Sequence, residues 1–145
     1  MKIGLEFEIS YAHRLLKYQG LCSNLHGHNG KVQIEVVGQV ERSSGMVLDF
    51  GILKDWTKRH FDHSTILQEG DPLLEHVGGR LVVTSHPPTA EVLAQIIMKQ
   101  LKDIYPISQL GSEPSIVRFY ETPGCYAECI SKGDMLIAGL HWDSR

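Results

Sequence analysis

The sequence has few cysteines, little net charge and no long apolar run, and each shortage excludes a class of protein. Three cysteines in 145 residues, Cys22, Cys125 and Cys129, make an odd set without a framework spacing. That speaks against a disulfide-stapled secreted domain and for a reduced, cytoplasmic setting. A net charge of −3 with neutral histidines leaves no broad basic footprint, so no nucleic-acid partner is expected. No stretch approaches the length of a membrane span, so no membrane partner is expected either. Glu6 and Glu8 interrupt any apolar core near the N-terminus, and no signal peptide is expected there. Internal repeats, low-complexity segments and linkers are also missing. At this length the expectation is a single domain over residues 1–145. What the chain does have is histidine, eight in all, the one compositional pointer to metal or proton chemistry.

Residues 2–12 alternate between apolar and polar and predict a half-buried strand. Lys31 to Val40 alternates again, with Val32, Ile34 and Val36 on one side. Ser43-Ser44-Gly45 is a turn. Asp49 suits a helix N-cap, followed by a loose apolar stripe of Phe50, Leu53, Trp56 and Phe61. Residues 64–88 are less regular, broken by Gly70-Asp71-Pro72 and Gly78-Gly79, with one short strand expected at Leu81 to Thr84. From Thr89 a strong helix is predicted to about Tyr105, with Leu93, Ile97, Leu101 and Ile104 on one stripe and Pro106 as its stop. Ile116 to Glu121 and Cys125 to Ser131 predict two strands joined by a Thr122-Pro123-Gly124 turn. The order is ββααββ. It predicts an α+β fold, a four-stranded antiparallel sheet with two helices on one face. So small a sheet leaves edges and a face to cover, and assembly is a natural solution. The apolar segment Met135 to Trp142 would suit a covered surface.

The chemistry centres on His13, Cys22, His26 and His28. His26 and His28 are two apart, so in an extended chain both imidazoles point the same way, with bases roughly 7 Å apart. His13 ends the preceding alternating run. Three histidines with an open position are the usual arrangement for a catalytic zinc. Cys22 has two readings, a fourth ligand of a structural zinc or a thiol beside the metal whose thiolate is favoured by the dication. Cys125 and Cys129 read as packing residues, four apart on one side of a strand. Asp62-His63 after the first helix reads as a solvated helix end, and Glu121 as a solvent-facing strand end. Thr89 and Glu91 are explained as helix N-terminal residues. Arg14, Lys17 and Lys31 are near the histidines in sequence, without a feature that selects one as an anion contact. No His-Glu-x-x-His relation supports a zinc hydrolase.

Six motifs occur in order: Phe7-Glu-Ile-Ser-Tyr-Ala-His13, Cys22-x-x-x-His26-Gly-His28, Gly45-Met-Val-Leu-Asp49-Phe50, Asp62-His63, Pro88-Thr-Ala-Glu91 and Tyr120-Glu121-Thr122. Together they resemble the 6-pyruvoyl-tetrahydropterin synthase family, over about residues 5 to 131. The three-residue spacer between Cys22 and His26, and Pro88-Thr-Ala-Glu-Val92, are similar to its bacterial 6-carboxy-tetrahydropterin synthase branch. The resemblance implies a tunnelling fold (T-fold) whose sheets join into a barrel, a homo-oligomer (trimer or hexamer) with active sites between subunits. It implies Zn2+ on His13, His26 and His28, and 7,8-dihydroneopterin triphosphate as substrate. Cys22 is implied as the base. Asp62 and His63 are implied as a proton relay reaching the cysteine of a neighbouring subunit. Glu121 is implied both in that relay and as the carboxylate gripping the pterin ring, with Thr89 as a weaker pterin contact. The implied product is 6-carboxytetrahydropterin, with acetaldehyde and triphosphate, on the way to 7-deazaguanine compounds such as queuosine. The alternatives are the pyruvoyl reaction without C–C cleavage, and a zinc-stabilised pterin- or purine-binding module without turnover. Two departures stand out: Ile66-Leu67 where the family often has Leu-Asn, and a longer segment from Gln68 to His86.

Overall fold

The computed structural model describes residues 1–104, 111–133 and 137–145. Its two longest strands are β1 (Lys2–His13) and β2 (His26–Val37), which pair antiparallel along their whole length, from Lys2 opposite Val37 to His13 opposite His26. Both alternate in burial, so Phe7, Ile9, Tyr11 and His13 point inward while Glu6 and Glu8 face solvent. Helix α1 (Phe50–Phe61) follows, capped as expected by Asp49, whose side chain accepts from the Gly51 N–H at 2.8 Å. Within its stripe Leu53 and Phe61 are buried and Trp56 packs beside them, but Phe50 is exposed. Helix α2 (Ala90–Asp103) starts at the Thr89 cap and buries Leu93, Ile97 and Leu101. It ends at Asp103; Tyr105 and Pro106, expected as its last residue and its stop, lie outside the described residues, as do the first two residues of the segment from Met135. Both helices share one core with Val32, Ile34, Val36, Val117 and Phe119 of the strands.

The sheet is larger than four strands and is not all antiparallel. Among the described residues it has seven, in the order β6-β5-β2-β1-β3-β4-β7. The outer members are β3 (Ser64–Gln68), β4 (Arg80–Thr84), β5 (Glu113–Thr122), β6 (Cys125–Ile130) and β7 (Trp142–Ser144). The expected four-stranded antiparallel unit is present as β6-β5-β2-β1, and β3 and β4 extend it in parallel. The order is therefore ββαββαβββ rather than ββααββ. The unexpected strand, β3, is short and largely buried, so it lacks the alternation that marks a strand with one wet face. The predicted second strand also starts earlier, at His26, which puts the histidine pair on the strand itself. The C-terminal Trp142 packs on Trp56, His60 and Phe61, and β7 pairs with β4.

Candidate functional site

The register of β1 and β2 builds the site. His13 stands opposite His26, and Tyr11 opposite His28, so all three imidazoles rise from the inward side of one antiparallel ladder. Their ring centroids are 4.6, 5.1 and 5.0 Å apart. One nitrogen from each lies within 4.8 Å of the others. His13 Nδ1 is 2.7 Å from the Pro88 carbonyl, and His26 Nδ1 is 2.8 Å from the Asn24 carbonyl. A carbonyl oxygen only accepts, so each Nδ1 carries the proton and each Nε2 keeps its lone pair. Nε2 of both His13 and His28 is buried without a hydrogen-bond partner. Converging imidazoles, two with a buried unpartnered Nε2 and two with Nδ1 tied to a carbonyl, fit a divalent ion, and the cluster could hold one.

Electrostatics points the same way. Burial lowers the His13 pKa to about 4, against its hydrogen bond to Pro88 and with help from His26 and His28. Burial also lowers that of His28, opposed by the Glu121 carboxylate. Neutral imidazoles are what a metal requires. Glu121 Oε1 lies 3.8 Å from His13 Nε2. With His13 held neutral by its burial, that approach is not an ion pair.

A cleft of about 280 Å³ opens over the triad. Cys22 lines it from a short helical turn, Leu21–Ser23, and Glu121 from the end of β5. Thr89 and Glu91 line it from the start of α2. The cluster of close ligand atoms contains the three imidazoles and not the Cys22 thiol, which disfavours a four-ligand structural site. Cys125 and Tyr126 also line the cleft. Cys125 is exposed and Cys129 buried, so the two divide between surface and core. Tyr11 was likewise not singled out, although its place two residues before His13 on an alternating strand is a legible signal. Its ring packs against His13, His28 and Phe119, and burial, with Glu121 adding, pushes its phenol well above the usual range.

Asp62 and His63 are elsewhere. His63 lines a groove with Ser10, Ala12, Gly27 and Asn29 of the outward side of β1 and β2, and the same groove borders Tyr11 and His28. Asp62 Oδ1 accepts from the Ser10 N–H at 2.9 Å and sits 3.1 Å from His63 Nδ1, so the two side chains do meet. His63 is the one non-glycine residue with positive φ (54°) among the described residues, and its side chain is 81 % exposed. The left-handed step is what turns the imidazole back onto its sequence neighbour. Of the three cations near the motif in sequence, Arg14 is engaged by Asp71, and Lys31 lies near Glu6 and over the Tyr120 ring. Lys17 lines an apolar groove with Leu16 and Tyr18.

The family model for 6-pyruvoyl tetrahydropterin synthase matches residues 2–132. The chain belongs to this family. Among its relatives, a 6-carboxy-5,6,7,8-tetrahydropterin synthase of Rickettsia bellii is 31 % identical over 137 residues, covering 88 % of this chain and 99 % of that protein. The probable 6-carboxy-5,6,7,8-tetrahydropterin synthase of Halobacterium salinarum is 37 % identical over 107 residues, 68 % of this chain and 67 % of its own. Among solved structures, an uncharacterized protein from Wolinella succinogenes superposes with a TM-score of 0.74 at 25 % identity, over 91 % of this chain and 98 % of that one. The 6-pyruvoyl tetrahydropterin synthase of Caenorhabditis elegans has the same fold, with a TM-score of 0.64 at 23 % identity over 91 % and 96 % of the two chains. Membership makes the chain a tetrahydropterin synthase by type, a lyase, and its triad could hold a metal ion.

Proposed function

We propose that this protein is a zinc-dependent 6-carboxy-5,6,7,8-tetrahydropterin synthase of 7-deazaguanine (queuosine) biosynthesis. It would convert 7,8-dihydroneopterin triphosphate, with one water, into 6-carboxytetrahydropterin, acetaldehyde and triphosphate. The observation that carries the reading is the cleft in which three metal-competent imidazoles, a thiol and a carboxylate face one another. The names borne by the relatives support the carboxy product.

In this reading His13, His26 and His28 hold the ion. Zinc there would supply Lewis-acid polarisation of substrate oxygens, acidifying the hydroxyls and the carbon beside them. The Cys22 thiolate takes a proton from the substrate side chain. Glu121 accepts two parallel hydrogen bonds from the 2-amino group and ring N–H of the pterin, a match of two donors to two oxygens. Thr89 lines the same pocket. Asp62 orients the His63 imidazole, and His63 with Glu121 passes protons to and from the substrate, with triphosphate leaving by elimination.

Cys22 and His63 line separate pockets of one chain, which supports a site shared between copies; the proposal takes the protein as a cytoplasmic homo-oligomer, a trimer or hexamer. Among the described residues, 2–9 of β1 have no strand partner on the side where β3 begins, since β3 pairs only with Tyr11 to His13, and β6 is the outer strand at one end of the sheet. Such edges are available to another copy.

The test is a product assay. Purified zinc-loaded protein is given dihydroneopterin triphosphate, with products read by mass spectrometry and a test for acetaldehyde. Carboxytetrahydropterin with acetaldehyde is the expected result. Pyruvoyltetrahydropterin without acetaldehyde would replace the carboxy reading with the pyruvoyl one, and binding without consumption would replace both with a pterin-binding module.

A further inference from the structure

Tyr11 has no part in the chemistry above, yet it is built into the site. It stands on the same side of β1 as His13 and opposite His28, and the residue is 4 % exposed. Its ring meets His13 edge-on at 5.2 Å, His28 at 5.5 Å and Phe119 edge-on at 5.4 Å. It leans across Gly30, where a Cβ would come within 3.0 Å of Tyr11 Cε1 and 2.6 Å of the Tyr120 carbonyl oxygen. The missing side chain at Gly30 is therefore what admits the ring. Beyond Gly30 lies β5, where Lys31 pairs with Tyr120 and Glu121 is the next residue.

The Tyr11 hydroxyl is buried and has no hydrogen-bond partner among the described residues. Leaving a buried O–H without an acceptor is costly, so such a group marks an interaction completed in another state of the site. Glu121, across the glycine, also makes no hydrogen bond among the described residues, and its carboxylate hangs 3.8 Å from His13 Nε2. A carboxylate that close to a triad nitrogen, on a flexible side chain, could be drawn onto an ion held there. One buried donor and one untethered acceptor thus share the same side of the site, separated by a residue with no side chain.

We propose that Tyr11 is a positioning residue for Glu121: its hydroxyl donates to the Glu121 carboxylate when the triad holds an ion. The bond fixes the carboxylate in the orientation that receives the substrate ring and keeps it from the ion the triad would hold. This rests on the reading of Glu121 as the substrate-holding carboxylate.

The experiment uses zinc-loaded full-length protein with carbon-13 at the tyrosine Cζ atoms. The resonance lost in Tyr11→Phe is assigned to Tyr11, and its position reports donation to a carboxylate. Glu121→Gln is expected to shift that resonance. In steady state with dihydroneopterin triphosphate, Tyr11→Phe should raise KM about tenfold, the size of one hydrogen bond to a charged group, with a smaller fall in kcat and zinc content close to wild type. In the Glu121→Gln background the same change should add nothing. A Tyr11 resonance indifferent to Glu121→Gln overturns the proposal, as does an equal KM penalty in both backgrounds. Should wild type leave dihydroneopterin triphosphate unconsumed, the functional reading fails by itself, and the resonance still decides the Tyr11–Glu121 bond.

Discussion

The histidine triad and the Asp62–His63 pair use the same chemistry in opposite settings. The triad is fixed by two long paired strands, with His13 buried and its Nδ1 tied to Pro88. The pair sits at the rim of the sheet, its imidazole exposed and held by a left-handed backbone step. A preformed ligand set belongs on rigid elements, because an ion tolerates little misplacement. An exposed imidazole of free reach is of use only to something that approaches from outside. The difference teaches that one chain carries a preformed cluster that could hold an ion and, apart from it, an exposed Asp–His pair, which under the proposed function is half of a proton relay.

The largest effect is expected on the buried side of that comparison. His26→Ala removes a ligand that supports no apolar core, and should cut zinc affinity by at least about a hundredfold, beyond what loss of a supporting contact costs. Metal content by mass spectrometry of dialysed protein checks it; His63→Ala should keep full occupancy. Cys22→Ala should retain zinc and lose turnover by about a hundred- to ten-thousandfold, the range for removing a proton-transfer group. Loss of zinc together with turnover would make Cys22 a ligand.

A smaller effect is the pH dependence of the metal-free protein. Burial lowers His13 from 6.5 to about 4 on folding, so between those values the unfolded chain binds the extra proton. Stability therefore rises with pH across that window. It is fully present above 6.5 and is lost as pH falls through about 4, on the order of 3 kcal/mol from His13. Urea denaturation of EDTA-treated protein from pH 7 to 4 should show that slope. His13→Asn should make that slope shallower, with the His28 share remaining.

Sequence was most informative where a period could form. β1, β2, α2 and the Asp49 and Thr89 caps follow from alternation, helical stripes and cap chemistry, and the His13/His26/His28 convergence follows from two-residue spacing on strands. β3 was invisible because a strand buried on both faces has no alternation. β7 is three residues and has no period at all. The lining role of Cys125 and Tyr126 depends on how β5 and β6 turn over the triad, which no local pattern encodes. Asp62 and His63 were legible only through the motif, since neighbours on an extended chain point apart and only the positive φ of His63 brings them together.

The claim that most needs testing is that Cys22 and His63 of different copies make one site. Cys22→Ala and His63→Ala proteins, each inactive, would be unfolded together, refolded with zinc in equal amounts and assayed for consumption of dihydroneopterin triphosphate. Sites shared between neighbours predict recovery to about a quarter of the wild-type rate, the fraction of randomly mixed interfaces with both groups intact. A mixture no more active than its two parents would place both groups in the same chain's site and contradict the account.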